Sequence, residues 1–167
     1  MRASQSSTLY KTKAPFGGGA FVLGVYNIEM PEKLFVAVKA LVFVGGKCLL
    51  LKNRNKHWDL PGGRINTGEP LLTALGRELC EELPTLKSYK PPRLIDAYRL
   101  EETLPDGAGL VFLFYVVEAE NFTVELTTEH EGYEWVGIEM LDSLKIGGYR
   151  IEPGYFSVVK QSLSVMT

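Results

Sequence analysis

The sequence predicts an α/β protein, an α/β/α sandwich in which helices cover both faces of a mixed β-sheet. Three observations lead there. Two pairs of apolar runs are each joined by a turn rich in glycine or proline, one amphipathic helix lies between the pairs, and a second helix closes the chain. The helix that separates the strand pairs also carries a dense set of acidic residues, and the other elements are arranged around it.

The first pair of strands is predicted from Leu34 to Val44 and from Lys47 to Lys52, with Gly45-Gly46 between them as a tight hairpin turn. Lys52 to Lys56 then form a polar, basic loop. Trp58-Asp59-Leu60-Pro61 ends a strand, directly before the pair Gly62-Gly63. After the turn Asn66-Thr67-Gly68, Leu71, Leu75, Leu79 and Leu83 recur every fourth residue, the apolar stripe of a helix. Thr67 is read as its N-cap, Pro70 falls in its first turn, and Pro84 stops it. Leu94 to Glu102 and Leu110 to Glu118 form the second hairpin around Pro105-Asp106-Gly107-Ala108-Gly109. A short edge strand is expected at Thr123 to Leu126, a polar loop from Thr127 to Gly132, and a strand at Tyr133 to Val136. Glu139 to Leu144 reads as helical, Gly147-Gly148 as a break, and Tyr155 to Val165 as the closing helix.

At 167 residues the chain suits one domain with a full core, expected at 31–167, behind an N-terminal extension at 1–30 that is partly flexible. Within that extension Ala20 to Ile28 is a strand candidate, and Phe16-Gly17-Gly18-Gly19 lacks the Lys-Ser/Thr ending of a phosphate loop. A net charge of -2 argues against a nucleic-acid polymer as partner, since that needs a basic surface. A small phosphorylated ligand needs only a few local cations. Cys48 and Cys80 fit neither a disulfide framework nor a zinc site; both are read as buried free thiols in a reducing, cytoplasmic setting. The apolar stretch Gly17 to Val25 is too short to span a bilayer, so no membrane association is expected. A homodimer is left open.

The chemistry lies on the polar side of the first helix. Glu78, Glu81 and Glu82 are spaced three and four apart, so their carboxylates project from neighbouring positions. Like charges so placed repel unless a cation sits among them, and carboxylate oxygens suit hard ions such as Mg2+ or Mn2+. Arg77 stands among them with a planar fork able to hold a carboxylate in one rotamer.

Gly63, five residues, Glu69, seven residues, then Arg77-Glu78-Leu79-x-Glu81-Glu82 resembles the signature of the Nudix hydrolases, G-x5-E-x7-R-E-U-x-E-E-x-G-U with U apolar. Two positions depart from it: Pro84 stands for the last glycine and Thr85 for the last apolar residue. The resemblance covers roughly Leu34 to Leu144 and implies the Nudix-type sandwich. It also implies metal-dependent cleavage of a diphosphate linkage in a nucleoside diphosphate derivative, with a nucleoside triphosphate as the leading substrate. Carried over by residue, Glu78, Glu81, Glu82 and the Gly62 carbonyl resemble the metal ligands, and Glu69 and Arg77 resemble supports for them. The general base is open between Glu78, Glu129 and Glu131, with Glu129 first; His130 is read as a surface histidine. Arg54 either offsets substrate phosphate charge or belongs to a solvated loop. Trp58, with Phe16, Phe21 and Tyr26, either stacks a base or belongs to the sheet. A module that senses a nucleotide without hydrolysing it is the alternative. An isoprenoid diphosphate isomerase, which shares the fold, would want a reactive cysteine in the pocket.

Overall fold

The computed structural model describes residues 33–145 and 149–166. The expectations for the N-terminal extension, its strand at Ala20 to Ile28, its aromatic residues and the Gly147-Gly148 break lie outside the described residues. The elements run β1 (Leu34–Val44), β2 (Lys47–Asn53), β3 (His57–Asp59), α1 (Leu71–Glu82), β4 (Arg93–Arg99), β5 (Gly109–Glu118) and β6 (His130–Val136). A 3-10 helix (Ile138–Lys145), β7 (Arg150–Ile151) and α2 (Pro153–Met166) follow.

Both expected hairpins form. Phe43 pairs with Cys48 and Val44 with Lys47. Gly45 and Gly46 both have positive φ, 55° and 77°, as a turn matched to strand twist requires. β4 and β5 pair antiparallel, β5 runs parallel to β1 over ten residue pairs, and β6 pairs antiparallel with β2. The sheet order is therefore β4-β5-β1-β2-β3-β7, with β6 also on β2.

Strand alternation sorts the core into two layers. Val38, Ala40 and Val42 of β1 face α1 through Leu75, Leu79 and Leu83, all fully or almost fully buried. Ala37, Leu41 and Phe43 face α2 through Tyr155, Val158, Val159 and Leu163. Helices thus cover both faces, as expected, and each fully buried leucine of the α1 stripe contributes about 1.5–3 kcal/mol.

The feature that builds the site is a gap in this sheet. β2 pairs with β1 only next to the hairpin turn, and the strands then part. The segment after β3 fills the gap. Val38 N–H donates to the Gly63 carbonyl at 2.9 Å, Ala40 N–H to the Pro61 carbonyl at 2.7 Å, and Ile65 N–H to the Val36 carbonyl at 3.1 Å. Gly62 lies so close to β1 that a Cβ there would stand 2.2 Å from the Val38 carbonyl oxygen, and its φ is 127°. Only glycine meets both conditions.

Several local expectations are corrected. The N-cap of α1 is Pro70 with no side-chain cap, not Thr67, because a turn intervenes in which Glu69 N–H donates to the Asn66 carbonyl at 3.0 Å. Thr123 to Leu126 forms no strand; the Thr123 carbonyl instead accepts from the Thr85 hydroxyl. β6 begins at His130, inside the expected loop, because its register with β2 reaches Asn53. The helical segment expected after it does form, as a 3-10 helix. Cys80 is exposed while Cys48 is buried. Position 80 lies one residue, about 100° of helix rotation, beyond Leu79 of the buried stripe, on the same side as exposed Thr73.

Candidate active site

The carboxylates of α1 meet the gap-filling loop. Gly62 N–H donates to Glu82 Oε2 at 2.9 Å, so the end of the helix is tied to the middle of the sheet. Glu82 is only 8% exposed. Burial pushes its carboxyl up to about 7, against the pull of the Lys39 ammonium and the Gly62 N–H; the charges of Asp59 and Glu78 add to the rise. Glu78 packs against Gly63, where an added Cβ would stand 2.6 Å from Glu78 Oε1. That glycine makes room for the carboxylate. Glu81 is further out, its side chain 58% exposed.

Arg77 ties the set together. Its Nε and Nη2 bind the two oxygens of Glu69 at 2.9 and 3.0 Å, a bidentate pair, while Nη1 reaches Glu78 at 2.7 Å and Glu81 at 3.3 Å. Nη2 also donates to the Arg64 carbonyl at 3.2 Å. Glu69 is held down to about 2, first by the Arg77 hydrogen bond and then by the Asn66 N–H. Glu69 and Arg77 therefore stand where the sequence expected supports for the loop and the carboxylates.

A family model described as the NUDIX domain matches residues 33–155. This chain belongs to the Nudix family. A Nudix-family hydrolase from Clostridium perfringens superposes with a TM-score of 0.64, covering 79% of this chain and 97% of that one at 16% identity, a likeness of fold alone. A MutT protein from Methanosarcina mazei Go1 gives a TM-score of 0.59 at 26% identity, covering 83% of this chain and 97% of that one. An RNA pyrophosphohydrolase from Actinobacillus pleuropneumoniae serotype 5b (strain L20) is 38% identical over 98 residues, covering 47% of each chain. This chain thus spans about half the length of that curated relative.

The Nudix helix ends differently from the family pattern. With Pro84 in place of glycine, Leu83 caps the helix through its N–H to the Leu79 carbonyl, and Leu83 remains fully buried. The carboxylates upstream keep their places.

A residue that sequence reasoning passed over stands on the other side of the Gly62 loop from Glu82. Lys39 lies on β1 between Ala37 and Leu41, on the core face, with its side chain 8% exposed. Its Nζ donates to Asp59 Oδ1 at 2.7 Å, the Leu60 carbonyl at 2.9 Å and the Gly62 carbonyl at 2.7 Å. The signal was a lysine in an otherwise apolar run, at a position that strand alternation turns inward. Beside it opens a pocket of about 500 Å3, lined by Lys39, Asp59, Gly63, Arg64, Phe112 and Tyr155 among others. Arg64 lies over the Phe35 ring at 5.0 Å.

The remaining expected residues are placed as follows. Trp58 is in the core, 5% exposed, its Nε1–H donating to the Leu144 carbonyl at 3.2 Å and its ring 5.3 Å from that of Tyr149. Arg54 is exposed in the turn after β2, and its charge acts on Glu131. Neither is brought to the carboxylates of α1 by any contact among the described residues. Glu131 is taken up by Lys56 at 2.6 Å and by the Tyr149 hydroxyl. Glu129 is exposed in the turn that leads into β6. His130, beside it, is half-buried; burial pulls its pKa down, and the charges of Asp59, Lys39 and Glu129 also act on it.

The donor set suits a divalent cation. A buried glutamate with an elevated pKa beside a second carboxylate is an arrangement that a cation relieves. Among the described residues, no three acidic, histidine or cysteine side chains converge into a finished cage. Arg77 instead occupies oxygens of both Glu78 and Glu81.

Proposed function

We propose that this chain is a metal-dependent pyrophosphohydrolase that cleaves the diphosphate linkage of a nucleoside diphosphate derivative, with a nucleoside triphosphate as its substrate. The observation that carries the reading is Glu82, a carboxylate buried at the junction of α1 and the Gly62 loop. Its elevated pKa marks a need for a cation. Glu78, Glu81 and Glu82 would hold Mg2+ or Mn2+. Bound there, the ion would neutralise phosphate oxygens and lower the pKa of the attacking water.

The chain's own residues supply the rest. Arg77 fixes the rotamers of Glu69 and Glu78, so that the carboxylates meet the substrate without reorganising. Arg64, exposed at the rim of the pocket, offsets phosphate charge. The pocket, about 500 Å3, has the volume of a small-molecule site. Glu129 takes the proton from water as it attacks phosphorus and the bond to the bridging oxygen breaks. Its place beside His130, whose ring feels Asp59 and Lys39, supports that assignment, whereas Glu131 is held by Lys56 and Tyr149.

The test is a panel of nucleoside triphosphates, ADP-ribose, nucleotide sugars and a 5′-triphosphorylated RNA, with and without Mg2+. Metal-dependent release from the triphosphates supports the reading. Turnover of the RNA alone would move the substrate to that of the curated relative, and no turnover of any would favour a sensing module. Glu129→Gln should lower turnover by roughly 10²–10⁴ while leaving Mn2+ affinity intact. Lost Mn2+ affinity would make Glu129 a ligand instead.

A further inference from the structure

Lys39 is unusual in what it touches. An ammonium has three donors and no acceptor, and all three are used here, on one carboxylate and two main-chain carbonyls. Two of those partners belong to the segment that fills the sheet gap, and one is the Gly62 carbonyl. The same residue, Gly62, gives its N–H to Glu82. One residue, Gly62, therefore separates the lysine from the buried glutamate, and the lysine's positive charge already acts to lower that glutamate's pKa. The Tyr155 ring, 5.9 Å from Nζ, closes the other side. Lys39 is thus held in place from several directions and is not free to follow substrate as an exposed lysine would.

We propose that Lys39 is a resident cation of the site: its ammonium holds the Gly62 carbonyl in the place of a divalent ion, so that metal binds only on the side of Glu78, Glu81 and Glu82. This rests on the reading of α1 as a metal-binding face. It revises the expectation that the Gly62 carbonyl is a metal ligand. A fixed ammonium has two consequences for metal binding. It neutralises Asp59, which otherwise adds a negative charge near Glu82, and it repels a divalent ion that approaches the Gly62 loop. Lys39 therefore sets metal affinity below what the carboxylates alone would give.

The test is Mn2+ binding, measured by calorimetry and electron paramagnetic resonance without substrate, for wild type and Lys39→Met. Removing the ammonium should tighten Mn2+ binding by about tenfold or more, since a positive charge has left a buried site and Asp59 has lost its partner. A lysine that merely braced the loop would give the opposite sign, because its loss would loosen Gly62 and weaken binding. Unchanged or weaker binding by the folded variant overturns the proposal. Lys39→Gln, which keeps an N–H donor for the Gly62 carbonyl, serves the same test if the methionine variant does not fold. Wild type supplies a further measurement. A buried ammonium with three hydrogen bonds exchanges its protons slowly, so its 1H–15N resonance should be visible and should persist at saturating Mg2+. Disappearance of that resonance on adding Mg2+ would show the lysine displaced and would overturn the proposal. Failure of wild type to bind Mn2+ at all would instead sink the metal reading of α1, and the resident cation with it.

Discussion

Glu82→Gln should make the metal-free protein more stable at pH 8, although it removes a residue from the centre of the site. The reason is the cost of burying a carboxylate without a cation. In the folded chain Glu82 titrates at about 7, against an ordinary value of 4.5. That rise corresponds to about 3 kcal/mol. The sign follows from proton binding. Below about pH 4.5 both states carry the proton and nothing is lost. Between pH 4.5 and 7 the unfolded chain releases its proton while the folded chain keeps it, so stability falls as pH rises. Above pH 7 the full penalty applies. The glutamine cannot ionise, and its carbonyl can still accept the Gly62 N–H. In EDTA at pH 8 the variant should therefore melt about 6–12 °C above wild type, and the gap should shrink towards pH 4.5. Millimolar Mg2+ should then raise the melting temperature of wild type and leave that of the variant unmoved, because an ion that binds only the folded state stabilises it. Two results would refute this reasoning: a variant no more stable than wild type at pH 8 in EDTA, or pH profiles that run parallel.

Arg77→Lys should lower turnover about 10–100-fold at saturating Mn2+, because an ammonium cannot replace the fork that holds Glu69 while reaching Glu78; wild-type turnover would reduce Arg77 to a surface charge. Gly62→Ala should cost about 3 kcal/mol or more in chemical denaturation, since its Cβ would stand 2.2 Å from a main-chain oxygen at a φ of 127°. Gly68→Ala, with positive φ but open space around it, should cost only about 1–2 kcal/mol, and equal losses at the two positions would contradict the close approach of the loop to β1. Of the two thiols, Cys80 should react with a water-soluble disulfide reagent in the native protein. Cys48, buried and with burial raising its pKa, should react only after unfolding. Two fast thiols would place Cys48 outside the core.

The sequence by itself determined the elements whose signals are local. The Gly45-Gly46 hairpin, the leucine stripe of α1 and the apolar run of β5 follow from turn chemistry and periodicity, which need no partner to be read. So did the spacing that puts Arg77, Glu78, Glu81 and Glu82 on one helix, since 3.6 residues per turn is a property of the backbone. Tertiary structure decided which of those carboxylates are buried. Glu82 is buried and Glu81 exposed because the Gly62 loop docks on the last turn of α1, a contact between segments twenty residues apart. It also settled what distant segments did to residues that looked alike in sequence. Glu131 is drawn to Lys56 and Tyr149 while Glu129 is left exposed; Trp58 is taken into the core by a bond to Leu144; Cys80 is turned outward. Lys39 is the clearest case. In sequence it is one charge in an apolar strand. Its role exists only because β1 and β2 part, and Leu60 to Ile65 fill the gap with the Leu60 and Gly62 carbonyls pointed at its ammonium. Periodicity describes the strand, but the acceptors that make a buried lysine stable come from another part of the chain.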